Sequence, residues 1–232
     1  MSEIILIIIL LLTLLTTFCL YKILDKRGLY FALTILNLIT FVLTFKITTV
    51  FKMNINVGIV PYISSLSVIY LFLIKYGDKE IKTLEIISLY ANITTAILLI
   101  IMNYFVPAIT ETISINMQGT FEYNYKILII YPIIMFISQL LVVKLFNYVK
   151  NIQNNVPICM ILTYIITGLI YTVLLYVLSY INIMEVKNSI FIGVSSYIIG
   201  LPITIINMIF IIMLHNNKKV IKWEMFYWLP QK

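Results

Sequence analysis

The residues that could do chemistry in this chain are uncharged polar side chains inside long apolar segments. Asn37, Thr40, Thr44 and Thr48 recur at spacings of three, four and four, which places them on one face of a helix. Gln139 and Asn207 lie deep within two later segments, and an amide at that depth needs partners from protein or water. Amides, hydroxyls and tyrosine rings together suit a small, neutral, polar or aromatic solute.

Several kinds of catalytic site are absent from the sequence. No H-E-x-x-H pattern offers zinc ligands, and the single histidine, His215, lies at the end of an apolar segment beside Asn216. A Ser–His or Cys–His pair is therefore not expected, and the chain has no phosphate-binding loop for ATP. We expect neither an enzyme nor a cofactor.

The candidate substrate-binding residues are polar groups that lipid would not tolerate without partners. Tyr70 and Tyr171 would stack on a planar base, and Gln139 and Asn207 would pair with its edge. The predicted lining comprises Lys46, Tyr62, Ser65, Tyr70, Gln139, Thr167, Tyr171, Ser196 and Asn207. Because this lining holds no acid, we expect uptake to depend little on pH.

Three of these assignments have a structural alternative. The serines of the third and seventh segments, Ser65 and Ser196, also suit close packing between helices through small residues. Lys46 has a long side chain near the external end of its segment, so it also suits an outward reach to lipid phosphates. The residue types alone leave both alternatives open.

The chain that must position these groups is too apolar for a soluble protein. Of its 232 residues, 62% are hydrophobic and 11% are charged, against about 25% charged in soluble domains. So much apolar surface cannot be hidden in one small core and must face lipid. The net charge of +7 is then interpreted as a topology signal and a contact with anionic lipid, and not as nucleic-acid binding.

Seven apolar runs approach or exceed the length of about 20 residues that a helix needs to cross a bilayer. They cover residues 4–21, 29–51, 55–74, 84–106, 127–149, 157–180 and 190–214. The sequence therefore predicts an all-α integral membrane protein, a bundle of seven transmembrane helices with a six-helix core plus an N-terminal helix. Residues 1–214 form the single transmembrane domain, and residues 215–232 form an interfacial tail on the cytoplasmic leaflet.

Two features near the ends of these runs complete the prediction. The longest loop, residues 107–126, is expected to be an external connector. Glu85 and Lys144 lie inside their runs but near the cytoplasmic ends, so both side chains are expected to reach the interface.

Basic residues divide unevenly between the two sides of the predicted bundle. One side carries twelve Lys and Arg residues and the other carries three, which are Lys52, Lys126 and Lys187. Loops rich in Lys and Arg stay in the cytoplasm. We therefore expect a multi-pass protein of the plasma membrane, with the N-terminus outside and the C-terminus cytoplasmic.

Short motifs along the chain fall in the order and spacing of a known family. The matching positions are 20–29, Lys46, Gly58, Tyr62, Ser64, 75–80, 137–139, 145–146, 169–172, Tyr197 and Phe210. At these positions the sequence resembles the queuosine precursor transporters, also called the vitamin uptake transporter family, over nearly its whole length. The resemblance implies a helical importer of deazapurine precursors for tRNA modification, with no ATPase motif of its own.

The chain is a divergent member of that family if it belongs to it. Lys46 and Gln139 keep the family's residue types within the membrane. Acids, a lysine and an asparagine of the family pattern are replaced at the other polar positions, which are Phe41, Tyr70, Val142, Tyr171, Gly200 and Asn207.

Two other functions stay open beside the importer. One is the substrate-binding membrane subunit of a vitamin transporter that separate ATPase subunits energise, and co-purification with cytoplasmic ATPases would favour it. The other is a non-transporting membrane protein that has lost the family's charged site. The expected partners are a small-molecule solute and the lipid bilayer, while an oligomer or an ATPase partner has no support in the sequence.

The lysine and arginine distribution makes a direct prediction about topology. A reporter fused after Asp78 should read as cytoplasmic, and one fused after Glu111 should read as external, because the basic loops are retained inside. Alkaline phosphatase and fluorescent-protein fusions measure the two sides. The reverse pattern would contradict the orientation.

Overall fold

The computed structural model describes residues 2–78, 80–102, 112–153, 155–180 and 185–216, and of residues 112–125 it describes the backbone. The elements in chain order are α1 (Ser2–Leu24), α2 (Lys26–Thr44), β1 (Ile47–Val50), β2 (Met53–Asn56), α3 (Ile59–Tyr76), α4 (Ile81–Met102), α5 (Thr112–Ile152), α6 (Val156–Tyr180) and α7 (Val186–Asn216). Within this part of the chain, seven helices are long and apolar enough to cross a membrane. The predicted all-α membrane bundle is confirmed.

Helix α3 lies at the centre of the bundle. Every residue from Ile59 to Leu73 is buried, whereas α1 buries only one narrow stripe that includes Leu6, Leu10 and Tyr21. Helices α1, α2, α5 and α7 all pack against α3. The side chains of α3 therefore face protein on all sides, and α1 lies at the periphery, as a six-helix core plus an N-terminal helix requires.

Polar contacts tie several helices together at one end of the bundle, which we call the lysine-rich end. Lys75 donates to the Tyr21 hydroxyl at 2.6 Å and to the Leu214 carbonyl at 3.2 Å. The Lys26 ammonium lies 2.5 Å from Glu80. Together with the Tyr30 hydroxyl, this ammonium holds the pKa of the Glu80 carboxyl below its usual range.

A β-hairpin replaces the end of the second predicted helix, so that prediction is wrong from residue 45 onward. Helix α2 ends at Thr44, and β1 pairs antiparallel with β2, with Val50 opposite Met53. The β1 sequence Ile-Thr-Thr-Val is wholly β-branched, which favours a strand over a helix. Phe51 and Lys52 form the turn with φ of 48° and 64°, the positive values that a two-residue hairpin turn requires.

The hairpin also changes the boundaries and faces predicted nearby. Helix α3 begins at Ile59, four residues later than the apolar run, because Asn56 still belongs to β2. Asn37, Thr40 and Thr44 are all buried on one face of α2, as predicted. The prediction that Thr48 shares this helix face is wrong, because α2 ends at Thr44 and Thr48 lies in β1. We call this opposite end of the bundle the hairpin end.

The connector predicted at residues 107–126 is wrong over most of its length, because α5 already begins at Thr112. Its membrane-crossing part covers Lys126–Ile152, close to the predicted run. Hydropathy marks only the part of a helix that lies in lipid, and it does not register a polar helical extension. The predicted tail is described only at His215 and Asn216, which end α7, so residues 217–232 lie outside the described residues.

The close approach of α1 and α2 makes a prediction about stability. A Cβ at Gly28 would overlap the backbone carbonyl of Leu20, which cannot move aside as a side chain would. We expect Gly28→Ala to destabilise the protein by about 1–3 kcal/mol, the usual cost of overpacking. The free energy of unfolding in detergent measures this, and Phe31→Ala, at an exposed position of the same helix, is the control. A Gly28→Ala protein as stable as the control would contradict the close contact.

Candidate functional site

Two tyrosine rings form the most distinctive contact inside the bundle. Tyr62 of α3 and Tyr171 of α6 lie face to face, with ring centroids 3.7 Å apart and planes inclined by 9°. Both side chains are buried. The Tyr62 hydroxyl lies near Ser138 but forms no hydrogen bond of normal geometry within the described residues. A buried donor without a partner is costly, so this hydroxyl is suited to a polar group that the protein does not supply.

A cavity of about 310 Å³ lies between α5 and α6, and Tyr171 of the ring pair is one of its lining residues. It opens at the outer surface of the bundle, where Ile133 and Leu174 are about half exposed. Its lining is apolar apart from Ser138 and Tyr171 and includes Ile134, Leu141 and Leu174. Pockets for small ligands are usually about 300–1,000 Å³ and mostly apolar with a few polar groups. The cavity is thus at the small end of the range for a ligand site, and Tyr171 is the aromatic residue of its lining.

The side-chain amides of Asn37 and Gln139, both identified in the sequence, form hydrogen bonds with each other in the middle of the bundle. Gln139 of α5 donates to the Asn37 carbonyl oxygen at 3.0 Å, and Asn37 of α2 donates back to Gln139 at 3.3 Å. Asn37 also donates to the Ser88 hydroxyl of α4, and Tyr131 donates to the Asn37 backbone carbonyl at 2.9 Å. We call this set the amide cluster, and it consists of Asn37, Ser88, Tyr131 and Gln139. It joins three helices, and most of the hydrogen-bonding groups of its members are used within the cluster.

Asn207 and Ser196 of α7 bond to the central elements in a similar way. Asn207 accepts from the Ser67 hydroxyl of α3 at 3.0 Å and donates to the Ile203 carbonyl at 3.0 Å. The Ser196 hydroxyl accepts from the backbone N–H of Asn56 in β2 at 3.0 Å. Both residues therefore hold α7 against α3 and the hairpin in this conformation.

Three further predicted residues are buried and bond to nearby carbonyls. Ser65 and Thr167 donate to carbonyls of their own helices, at 2.7 Å and 2.8 Å. Tyr70 donates to the Met160 carbonyl of α6 at 3.5 Å and packs against Phe146. Thus eight of the nine predicted residues are buried in the bundle, and Tyr62 and Tyr171 are in direct contact with each other.

Lys46 is the predicted residue that the structure does not bring into the interior. It lies between α2 and β1, and its side chain is exposed. Its backbone closes the base of the hairpin, since Lys46 N–H donates to Leu43 and its carbonyl accepts from Val57. The short α2 explains this placement, because the residue no longer lies on a helix that faces the bundle.

A polar face of α4 was missed in the sequence analysis. Glu85, Ser88 and Asn92 are all buried, at exposures of 0%, 1% and 1%. The prediction that Glu85 reaches the interface is therefore wrong, because Glu85 shares a buried face of α4 with Ser88, which is bonded to Asn37 of α2. The spacing of three and four residues was a visible signal, since it places the three side chains on one helix face.

Comparisons with protein-family models, with curated proteins and with solved structures found no match to the chain. The functional assignment therefore depends on the residues and their geometry.

The amide cluster predicts energetic coupling between α2 and α5. Gln139→Leu should cost about 1–3 kcal/mol of stability, because it leaves the Asn37 amide short of a partner. Asn37→Leu should cost less in the Gln139→Leu background than alone, with a coupling of about 0.5–3 kcal/mol. Unfolding in detergent measures the double-mutant cycle, with Ile133→Ala at an exposed position of α5 as the control. Losses of unfolding free energy that are strictly additive in the double variant would contradict the hydrogen bonds between Asn37 and Gln139.

Proposed function

We propose that the protein is a plasma-membrane transporter for a small planar solute, with a queuosine precursor (a deazapurine) as the expected substrate. The observation that carries this proposal is the parallel contact of Tyr62 and Tyr171 beside the cavity between α5 and α6. Multi-pass membrane embedding is consistent with the seven apolar helices. The solute class and the transport function depend on the site geometry and on the resemblance of the sequence motifs.

The ring pair suits a flat ligand because a third ring can replace one of the two. At a centroid distance of 3.7 Å the rings are in van der Waals contact, so nothing fits between them as they stand. If α3 and α6 separate, or if either ring turns into the cavity, a planar base gains one or both faces. Stacking of a base on an aromatic side chain contributes about 1–3 kcal/mol.

Polar groups near the rings offer partners for the edge of such a base. The Tyr62 hydroxyl has no hydrogen bond of normal geometry within the described residues, and Ser138 lines the cavity. Gln139 follows Ser138 on α5, but its amide is paired with Asn37 in this conformation. We therefore assign the first contact with the solute to Tyr62, Tyr171 and Ser138. Gln139 would bond to the solute only in another conformation, in which its hydrogen bonds to Asn37 are broken.

The proposed orientation places the lysine-rich end in the cytoplasm and the hairpin end outside. The lysine and arginine distribution supports this assignment. In this orientation the hairpin covers the external side of the bundle.

Transport by the purified chain in proteoliposomes tests the function and separates it from its alternative. Labelled deazapurine is offered outside vesicles that contain this protein alone. Accumulation or exchange supports an importer that needs no further subunit. Saturable binding without movement supports a substrate-binding subunit that separate ATPases energise. Neither binding nor movement would contradict the proposal.

Variants of the ring pair test the site itself. Tyr171→Leu should weaken solute binding by about 1–3 kcal/mol, because it removes the stacking face, whereas Tyr171→Phe should keep most of the affinity. Tyr62→Phe should weaken binding by about 0.5–1.5 kcal/mol, because it removes a hydroxyl that would donate to the solute. Equilibrium binding of the labelled base measures both.

The matched control is Tyr90→Leu, which removes a tyrosine that is 73% exposed on the outer face of α4. It should bind the solute as the wild type does. Equal affinity in Tyr171→Leu and Tyr90→Leu would remove the ring pair from the site.

A further inference from the structure

Glu85 is a buried carboxyl group without a partner, inside a segment that crosses the membrane. Its exposure is 0%, and within the described residues neither carboxyl oxygen accepts a hydrogen bond. Transfer of an unpaired carboxylate into such an interior costs several kcal/mol, so the group either takes up a proton or binds a cation. A sequence that only needed to fill this position could use Gln or Leu without that cost.

The other acid nearby shows the contrast. Glu80 lies five residues earlier at the lysine-rich end, where Lys26 and Tyr30 both bond to it. Glu80 is therefore stabilised as a carboxylate by its partners. Glu85, a little more than one turn into α4, has lost access to water without gaining such partners.

Positive charges on the helices around Glu85 do not neutralise it. Lys82 acts on it electrostatically but is exposed one turn earlier on α4. Lys26 pairs with Glu80, and Lys75 of α3 is bonded to Tyr21 and Leu214. The other basic residues toward this end of α2 and α5 are Arg27, Lys144 and Lys150. None of the three forms a hydrogen bond or a salt bridge with the Glu85 oxygens.

A row of side-chain oxygens leads from Glu85 along α4 into the bundle. We call this row, formed by Glu85, Ser88 and Asn92, the α4 track. Ser88 accepts from Asn37 in the amide cluster, and its own proton has no acceptor among the described residues, so it can be donated onward. The side-chain oxygen of Asn92 is buried and has no partner within the described residues. Seven residues of helix span about 10 Å, so the track reaches from the lysine-rich end toward the middle of the membrane.

The spread of these oxygens favours a proton over a metal cation. A hard cation gathers about six oxygen ligands around one point. The oxygens of the α4 track follow one another along the helix axis and do not converge. Successive positions along an axis suit a proton that is held on a carboxyl group and passed through hydroxyls or water.

We infer that Glu85 is the proton-binding site of this protein, and that the α4 track couples proton movement to solute transport; the coupling rests on the proposed function. The carboxylate takes up one proton when the site is open to the external side and becomes a neutral acid. Within the α4 track the Ser88 hydroxyl is the group that can pass a proton on, whereas the Asn92 side-chain oxygen can only accept a hydrogen bond. The same proton leaves to cytoplasmic water at the lysine-rich end when the solute is released. Uptake then depends on pH, in contrast to the expectation from the neutral lining.

Infrared spectroscopy of the purified protein in lipid tests the proton site without any transport. The wild type should show the carbonyl stretch of a protonated carboxylic acid at neutral pH. Glu85→Gln should lose this band while it keeps the fold, because Gln has the shape of the neutral acid. Glu80→Gln is the matched control and should keep the band. A band that persists in Glu85→Gln would overturn the assignment.

Proteoliposomes test the coupling. A lumen two pH units more alkaline than the outside should drive about 100-fold accumulation of labelled deazapurine in the wild type, for one proton per solute. Glu85→Gln should abolish this accumulation and retain exchange of labelled for unlabelled solute. Accumulation by Glu85→Gln at the wild-type level would overturn the coupling. If the wild type neither accumulates nor exchanges solute, the proposed function and the coupling both fail, while the infrared band still decides the proton site.

Discussion

The rest of the structure depends on one constraint, which is that the polar groups of the central helix α3 cannot turn to lipid. Lipid offers no hydrogen bonds, so every polar side chain on α3 needs a partner within the protein, either on its own helix, as for Ser65, or on another element. Ser64 is paired with Thr13 of α1 at 2.9 Å, and Ser67 donates to Asn207 of α7. The surrounding helices are thus held in place by specific polar contacts as well as by apolar packing, and the group left without a partner, Tyr62, marks the site.

The number and approximate limits of the helices could be predicted from hydropathy, because lipid selects strongly for long apolar helices. The same signal failed at Ile47–Val50, since an apolar β-branched segment has the same hydropathy in a strand as in a helix. It failed again at Thr112, where α5 continues beyond its apolar part. In both places the structure depends on backbone conformation, which hydropathy does not report.

The candidate site could be predicted as a set of buried groups but not as a set of contacts. Depth alone indicated that Gln139 and Asn207 need partners, and both have them. That the partners are Asn37 and Ser67 depends on helix packing across more than a hundred residues of sequence, which one sequence does not contain. Glu85 was predicted to reach the interface because it lies near the end of its apolar run. That position along the chain does not show which side of α4 the residue occupies. Lys46 lies outside the interior because α2 ends before reaching it, which agrees with the second of the two alternatives that its residue type left open.

The bond between β2 and α7 has a consequence for the order in which the protein can be completed. Asn56 and Ser196 are 140 residues apart. During synthesis the backbone N–H of Asn56 therefore gains its hydrogen-bond acceptor only after Ser196 of α7 has been made. At about 5–20 residues per second, synthesis leaves that interval at roughly 7–28 s. During that time the hairpin has no α7 to pack against, and its unpaired strand edges must be kept out of lipid by water or by the insertion machinery. The packing of the hairpin end against α7 is therefore completed later than the contacts among the earlier helices.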